Sequence, residues 1–220
     1  MTSKLFTILE NYMKSTVKES AHDGEHVYRV LGYCLQIAET EENVDHDVLL
    51  AAALLHDVGR NGKQGGHHLI GAEMARAFLP TTDFPAHKIE AVCHAIATHS
   101  SHCYGEQKTL EAKILYDADK LDSLGVMGIA RSMMGVGNYN HPMYVIKDGA
   151  IDLGEDSPTD TFVRYYQRVV RKNYDRLFTA TARRLAEEQR AIDVAYFRAL
   201  CDLVNGHHRR LTKIDQLFED

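Results

Sequence analysis

The sequence has no tryptophan, four prolines and four cysteines. Cys34, Cys93, Cys103 and Cys201 are scattered with no close pair, which argues against a thiolate zinc site or a disulfide framework. A reducing, cytoplasmic location is the expectation that follows. No apolar run approaches ~18 residues, and the opening MTSKLFTILENYMKSTVKES mixes charge with apolar residues, so neither a membrane span nor a signal peptide is expected. A basic run is missing too. Lys and Arg number 25 against 31 Asp and Glu, a net charge of −6, which is poor electrostatics for a stable nucleic-acid complex.

What is present is ordinary in bulk and unusual in one respect. Hydrophobic residues make up 45% of the 220 and charged ones 25%, as in soluble globular proteins. A chain of this length buries roughly 70% of its unfolded surface without staples. Histidine stands out, at 13 residues, many of them beside carboxylates.

Periodicity predicts helices from end to end. Residues 4–17 place Leu5, Ile8, Leu9, Tyr12, Met13 and Val17 on one face. Asp23 caps a second helix striped by Val27, Val30, Leu31, Cys34, Leu35 and Ala38. Residues 47–56, DVLLAAALLH, are apolar almost all round, as a buried central helix is, and Gly59 is expected to end it. A glycine-rich surface loop over 59–68 then leads to helices at 67–79, ended by Pro80, and 85–99, begun by Pro85. Thr109 caps a helix carrying Leu110, Ile114, Leu115, Ala118, Leu121 and Leu124, after which glycines at 125, 128, 135 and 137 loosen the chain. Asp148-Gly149 between Tyr144–Ile146 and Ala150–Asp152 is a hairpin signal. Two long helices, 160–177 and 180–204, separated near Thr179 and closed by Gly206, complete the reading. The expected fold is one all-α domain over 1–220, with a loop or small hairpin excursion near 137–158.

Chemistry concentrates in a few places. His56-Asp57 ends the most apolar helix, where an imidazole and a carboxylate are costly to bury unless paired or bound to a cation. His26 opens the second helix, and His94 and His99 close the fifth in CHAIATHSSH. Asp117, Asp119 and Asp122 lie within six residues of ILYDADKLDSLG; Asp119 and Asp122 share a helical face and Asp117 points away from Asp119. Such carboxylates repel one another unless a cation sits among them. The alternative is a satisfied helix end at His56-Asp57 and a solvated face salted by Lys113 and Lys120. Imidazole nitrogen with carboxylate oxygen is ligand chemistry for manganese, iron, cobalt, nickel or zinc.

These residues, in this order, resemble the signature of the HD-domain metal-dependent phosphohydrolases: His26 in DGEHVYRV, His56-Asp57 in ALLHDVGR and Asp119 in DADKLDSLG. The resemblance runs over about residues 20–135, and TATARRLAEEQR (179–190) is similar to the closing helices of a small bacterial branch with nucleotide pyrophosphohydrolase-like members. It implies an HD-domain helical bundle in which His26, His56, Asp57 and Asp119 hold one divalent cation, manganese first, with iron, cobalt, nickel, zinc or magnesium as alternatives. Binding would lower the pKa of water from ~15.7 toward ~7 and polarise a phosphoryl oxygen. Asp57 and Asp122 are the catalytic candidates, Asp122 through orientation of a ligand or water. His94 and His99 would line the pocket, or ligate a second cation in a two-metal phosphodiesterase. His68 has the same two readings, beside a plain surface role. Arg29, Arg60, Lys63 and Lys120 are the candidates for holding phosphate.

Some HD nucleotidases and alarmone hydrolases carry acidic residues just after the doublet; here the chain reads Val58-Gly59-Arg60-Asn61, which leaves the general base unassigned, with Asp122 or Glu90 to serve if one is required. The reading is a metal-dependent phosphohydrolase acting on a small phosphorylated substrate, a nucleotide, as triphosphate pyrophosphohydrolase or nucleotidase. A two-metal phosphodiesterase and a non-catalytic nucleotide-binding regulatory module are the alternatives. A homodimer is left open.

Overall fold

The computed structural model describes residues 1–17, 23–60, 65–153 and 160–211. Within them the chain is helical apart from one two-stranded hairpin, as an all-α HD-type bundle requires. It divides into two compact units, 1–122 with 175–185, and 123–174 with 186–220.

The first unit is built around α3 (His46–Leu55). Val48, Leu49 and the run Ala51 to Leu55 are all buried, so this helix has no solvent face to specify. It packs against α1 (Ser3–Thr16), α2 (Gly24–Ala38), α5 (Ile89–Thr98) and α6 (Leu110–Leu121). α4 (His67–Phe78) lies along α5. The caps follow the sequence: Asp23 accepts from the His26 N–H at 3.0 Å, and Thr109 Oγ1 from the Ala112 N–H at 3.2 Å. Asp45 caps α3 through the Asp47 and Val48 N–H groups and also accepts from Lys88 Nζ at 2.9 Å. Pro80 sits inside a 3-10 turn, Leu79–Thr81, and Pro85 precedes another, Ala86–Lys88, so both flanking helices are shorter than the periodicity predicts. Among the carboxylates of α6, Asp117 does turn away from Asp119. It accepts from the N–H groups of Phe178 and Thr179 and from Thr179 Oγ1, at 2.8–3.1 Å, and so ties the segment before α9 to this unit.

In the second unit the four glycines after Leu124 do not loosen the chain. They lie within α7 (Gly125–Asn138), which packs on α8 (Phe162–Arg168). Two of them are required by packing: a Cβ at Gly128 would stand 2.0 Å from the Ser123 carbonyl oxygen, and one at Gly125 would meet Gln189. The hairpin, β1 (Ile146–Lys147) and β2 (Ala150–Ile151), pairs Ile146 with Ile151 and Lys147 with Ala150. Asp148 and Gly149 both have positive φ, 52° and 75°, the tight turn that Asp-Gly favours. The expected helix over 160–177 is instead α8 followed by a 3-10 stretch, Val170–Asp175. α9 (Ala180–Leu211) runs straight through Gly206, since one interior glycine costs only about 1 kcal/mol relative to alanine. Here a buried Asp193 accepts from Tyr166 at 2.7 Å and Tyr174 at 2.6 Å.

Candidate metal centre

Helix ends in the first unit deliver the imidazoles. His56 is the C-cap of α3 and His99 the C-cap of α5; each ring donates through Nδ1 to a carbonyl three residues back, Ala53 at 2.8 Å and Ile96 at 2.6 Å. That fixes both rings with Nε2 facing inward. His26, near the start of α2, is held differently, with Nδ1 2.7 Å from Asp122 Oδ2. All three rings are buried.

Asp57 lies at the centre. Its Oδ2 stands 3.5 Å from His26 Nε2 and 3.7 Å from His56 Nε2. Its Oδ1 stands 3.5 Å from His99 Nε2 and 3.7 Å from His67 Nε2. The carboxylate is 1% exposed, and both oxygens are buried without a hydrogen bond. Arg60 Nε approaches Oδ2 at 2.8 Å, but as an ion pair whose N–H is not aimed along the contact. Burial alone would raise the Asp57 pKa; His56, Arg60 and the other imidazoles outweigh it and hold the carboxyl well below the usual carboxylate range. Asp119 behaves alike, with burial outweighed first by Lys120 and then by His26. Its Oδ1 is 3.5 Å from His26 Nε2.

The donors fall into two groups that share Asp57. His26, His56 and Asp57 offer atoms within 4.8 Å of one another, and so do Asp57, His67 and His99. Asp119 borders the first group through His26 without belonging to that set. The fit to a cation is good on two grounds. Neighbouring ligands about 2.1 Å from one ion stand roughly 3.0–3.5 Å apart, and the nearest donors here, His26 Nε2 with His56 Nε2 and His67 Nε2 with His99 Nε2, are each 3.3 Å apart. A buried carboxylate with no hydrogen bond is also costly unless something else satisfies it. Burial, above all, drives His56 down to about 4 and His67 to about 3, so both rings are neutral and able to ligate at neutral pH.

Other residues named from sequence take different places. Arg29 grips Asp122 with two hydrogen bonds, Nε to Oδ1 at 2.7 Å and Nη2 to Oδ2 at 3.1 Å. Lys120 Nζ donates to Asp119 Oδ2 at 2.6 Å, and Arg60 Nη2 lies 3.4 Å from His67 Nε2. These three cations therefore stand against the site's own side chains, and Lys63 lies outside the described residues. His94 is in neither donor group; its Nε2 accepts from the Lys108 N–H at 3.1 Å. Neither carboxylate weighed as a general base is idle: Asp122 serves His26 and Arg29, and Glu90 is ion-paired with Arg76 at 2.9 Å on the surface. Sequence reasoning missed His67, having weighed its neighbour His68. Gly59 lets it approach: a Cβ there would stand 2.2 Å from the His67 carbonyl oxygen and 2.3 Å from Gly71 N, so α4 can start against the loop after the doublet only if that residue has no side chain.

Residues 23–124 match the family model of the HD domain, and this span holds every donor of both groups. Over those residues, just under half of the chain, it is similar to the HD domain. Bacillus subtilis YpgQ is 29% identical over 189 residues, 84% of this chain and 85% of its own. The crystal structure of YpgQ in complex with ADP is similar with a TM-score of 0.70 at 26% identity, covering 89% of this chain and 95% of that one. A predicted HD superfamily hydrolase from an uncultured Thermotogales bacterium is similar with a TM-score of 0.60 at 28% identity, over 88% and 90%. The HD domain here thus has the HD-superfamily hydrolase fold and a His/Asp group that could hold a divalent metal. No helix among the described residues is long and apolar enough to cross a membrane.

Proposed function

We propose that this HD domain is a metal-dependent phosphohydrolase acting on a nucleotide, by release of pyrophosphate from a nucleoside triphosphate or of phosphate from a monoester. One observation carries the reading: a buried Asp57 carboxylate, without a hydrogen bond, faced by four imidazole Nε2 atoms at 3.5–3.7 Å. His26, His56, Asp57 and Asp119 are the residues that would hold the cation, with manganese first among the ions this donor set suits. When bound, the ion supplies Lewis acidity toward water and toward a phosphoryl oxygen. The protein contributes the rest. Its buried rings exclude bulk water, their Nδ1 bonds prevent them from swinging, and Arg60 and Lys120 place positive charge beside the two ligand carboxylates. Either cation can turn toward phosphate oxygens, where substrate charge offsets the carboxylate it leaves. The ADP held by YpgQ supports a nucleotide as the substrate class.

The second donor group favours a second reading. Asp57 with His67 and His99 gives two sites sharing one carboxylate, the arrangement suited to a two-ion phosphodiesterase. Two measurements separate the alternatives. Nucleoside mono- and triphosphates and a cyclic dinucleotide are incubated with Mn2+ and the parent protein, with His56→Ala and Asp57→Ala as controls. Release of pyrophosphate or phosphate that is lost in both variants supports the hydrolase, and cleavage of the cyclic diester alone supports the phosphodiesterase. Binding of nucleotides without turnover of any substrate leaves the regulatory module. Ion stoichiometry at saturation then distinguishes one cation from two, since His67→Ala removes only the second group.

A further inference from the structure

We propose that Arg29 is a positioning residue: it holds Asp122 so that this carboxylate keeps the His26 proton on Nδ1 and turns the Nε2 lone pair toward Asp57 and Asp119. The inference starts from a difference among the imidazoles. His56 and His99 are oriented by carbonyls of their own last helical turn, main-chain atoms that cannot move away. His26 is oriented by a side chain 96 residues distant, on α6. A carboxylate has two rotatable bonds, so it can orient a ring only if something orients it.

Two features show what does. Asp122 is the C-cap of α6, at the negative end of that helix's dipole, and is 1% exposed. An anion is disfavoured at that end and, buried, needs a cation. Arg29 supplies it in the forked geometry that locks a carboxylate in rotation as well as in place. Arg29 and His26 are three residues apart on α2, hence on one face, and both converge on the same carboxylate. Asp122 Oδ2 receives His26 and Arg29 Nη2, and Oδ1 receives Arg29 Nε. Asp122 and Arg29 stand behind the His26 ring, and Asp57, Asp119 and His56 in front of it. Nε2 faces two carboxylates at 3.5 Å and Nδ1 faces one at 2.7 Å, so the shorter rear contact is the one that holds the proton. Outer carboxylates of this kind fix the tautomer and strengthen the ligand. Arg29 thus acts two contacts from the donor group and does not need to touch phosphate.

The inference rests on the proposed cation site, and the test separates the two. The 15N shifts of His26 are recorded in the chelator-treated parent, in Arg29→Met and in Arg29→Lys, and Mn2+ affinity is measured by titration calorimetry in the same proteins. The parent should show a single tautomer protonated on Nδ1. Arg29→Met should show a mixture and bind Mn2+ ~10–100-fold more weakly, and Arg29→Lys should recover part of the loss. A His26 protonated on Nε2 in the parent overturns the proposal. So does an Arg29→Met protein that keeps the parent tautomer and Mn2+ affinity while its KM for nucleoside triphosphate rises, since that is the signature of a phosphate contact. If Arg29→Met does not fold, the parent and Arg29→Lys tautomers decide. A parent that binds no Mn2+ sinks the cation site, while the tautomer comparison still reads the role of Arg29.

Discussion

Gly59→Ala tests how the site is assembled. The added Cβ would stand 2.2 Å from the His67 carbonyl oxygen, 2.3 Å from Gly71 N and 2.9 Å from Gly71 Cα, main-chain atoms that cannot rotate away. Contacts below about 3 Å are not tolerated in packed interiors, so the first turn of α4 must retreat by roughly 0.8 Å. Overpacking of this kind costs about 1–3 kcal/mol, which for a chain of this size lowers Tm by roughly 3–10 °C. The same shift exceeds the ~0.5 Å within which ligand geometry must be held, and it acts on His67, whose Nε2 is now 3.3 Å from His99 Nε2. The second donor group should therefore weaken, while His26 and His56, which sit on other helices, keep their places. Gly32→Ala is the control: a Cβ there meets nothing within 4 Å, and alanine in the interior of α2 should stabilise by about 0.5–1 kcal/mol. Thermal melts and Mn2+ binding isotherms of both variants read the two effects. A Gly59→Ala protein that melts with the parent and binds the same number of ions refutes the reasoning.

Three further outcomes are expected. Burial lowers the His56 pKa from the ordinary 6.5 to about 4, so between those values the unfolded chain binds more protons and stability falls as pH falls. The loss from this group is about 2 kcal/mol by pH 5, and urea melts in chelator at pH 7 and pH 5 should diverge less in His56→Gln than in the parent; equal divergence would contradict the assignment. Thr109→Ala removes the cap of α6 and should cost about 1 kcal/mol, or about 2–4 °C in Tm, with ion binding retained. Asp117→Ala frees the Phe178 and Thr179 N–H groups and should expose residues 175–185 to faster hydrogen exchange than the rest of the first unit, a pattern that uniform exchange would exclude.

Much of this was legible because the local chemistry was strong. Asp23, Thr109 and Asp148-Gly149 do what capping and turn preferences say they should, and the apolar run of α3 reads as a buried helix since every side of it is covered. What failed depended on distant partners. Gly125 and Gly128 of α7 look like breakers until Gln189 and Ser123 are seen to occupy the space a side chain would need. Nothing in the sequence shows that Arg29, Arg60 and Lys120, named there as candidates for holding phosphate, face Asp122, Asp57 and Asp119. His67 was hidden behind His68, one residue on, because spacing alone does not say which ring of a pair points inward.

Two of the rings around Asp57 bond to carbonyls in the final turn of their own helix, where a helix has acceptors to spare. The place where each of these helices stops is therefore as much a part of the centre as the histidine it carries. A single residue inserted into the middle of α3 or α5 would carry its histidine about 100° around the axis and out of register with the others, although no ligand had been replaced. Length, for those two segments, should tolerate less change than composition.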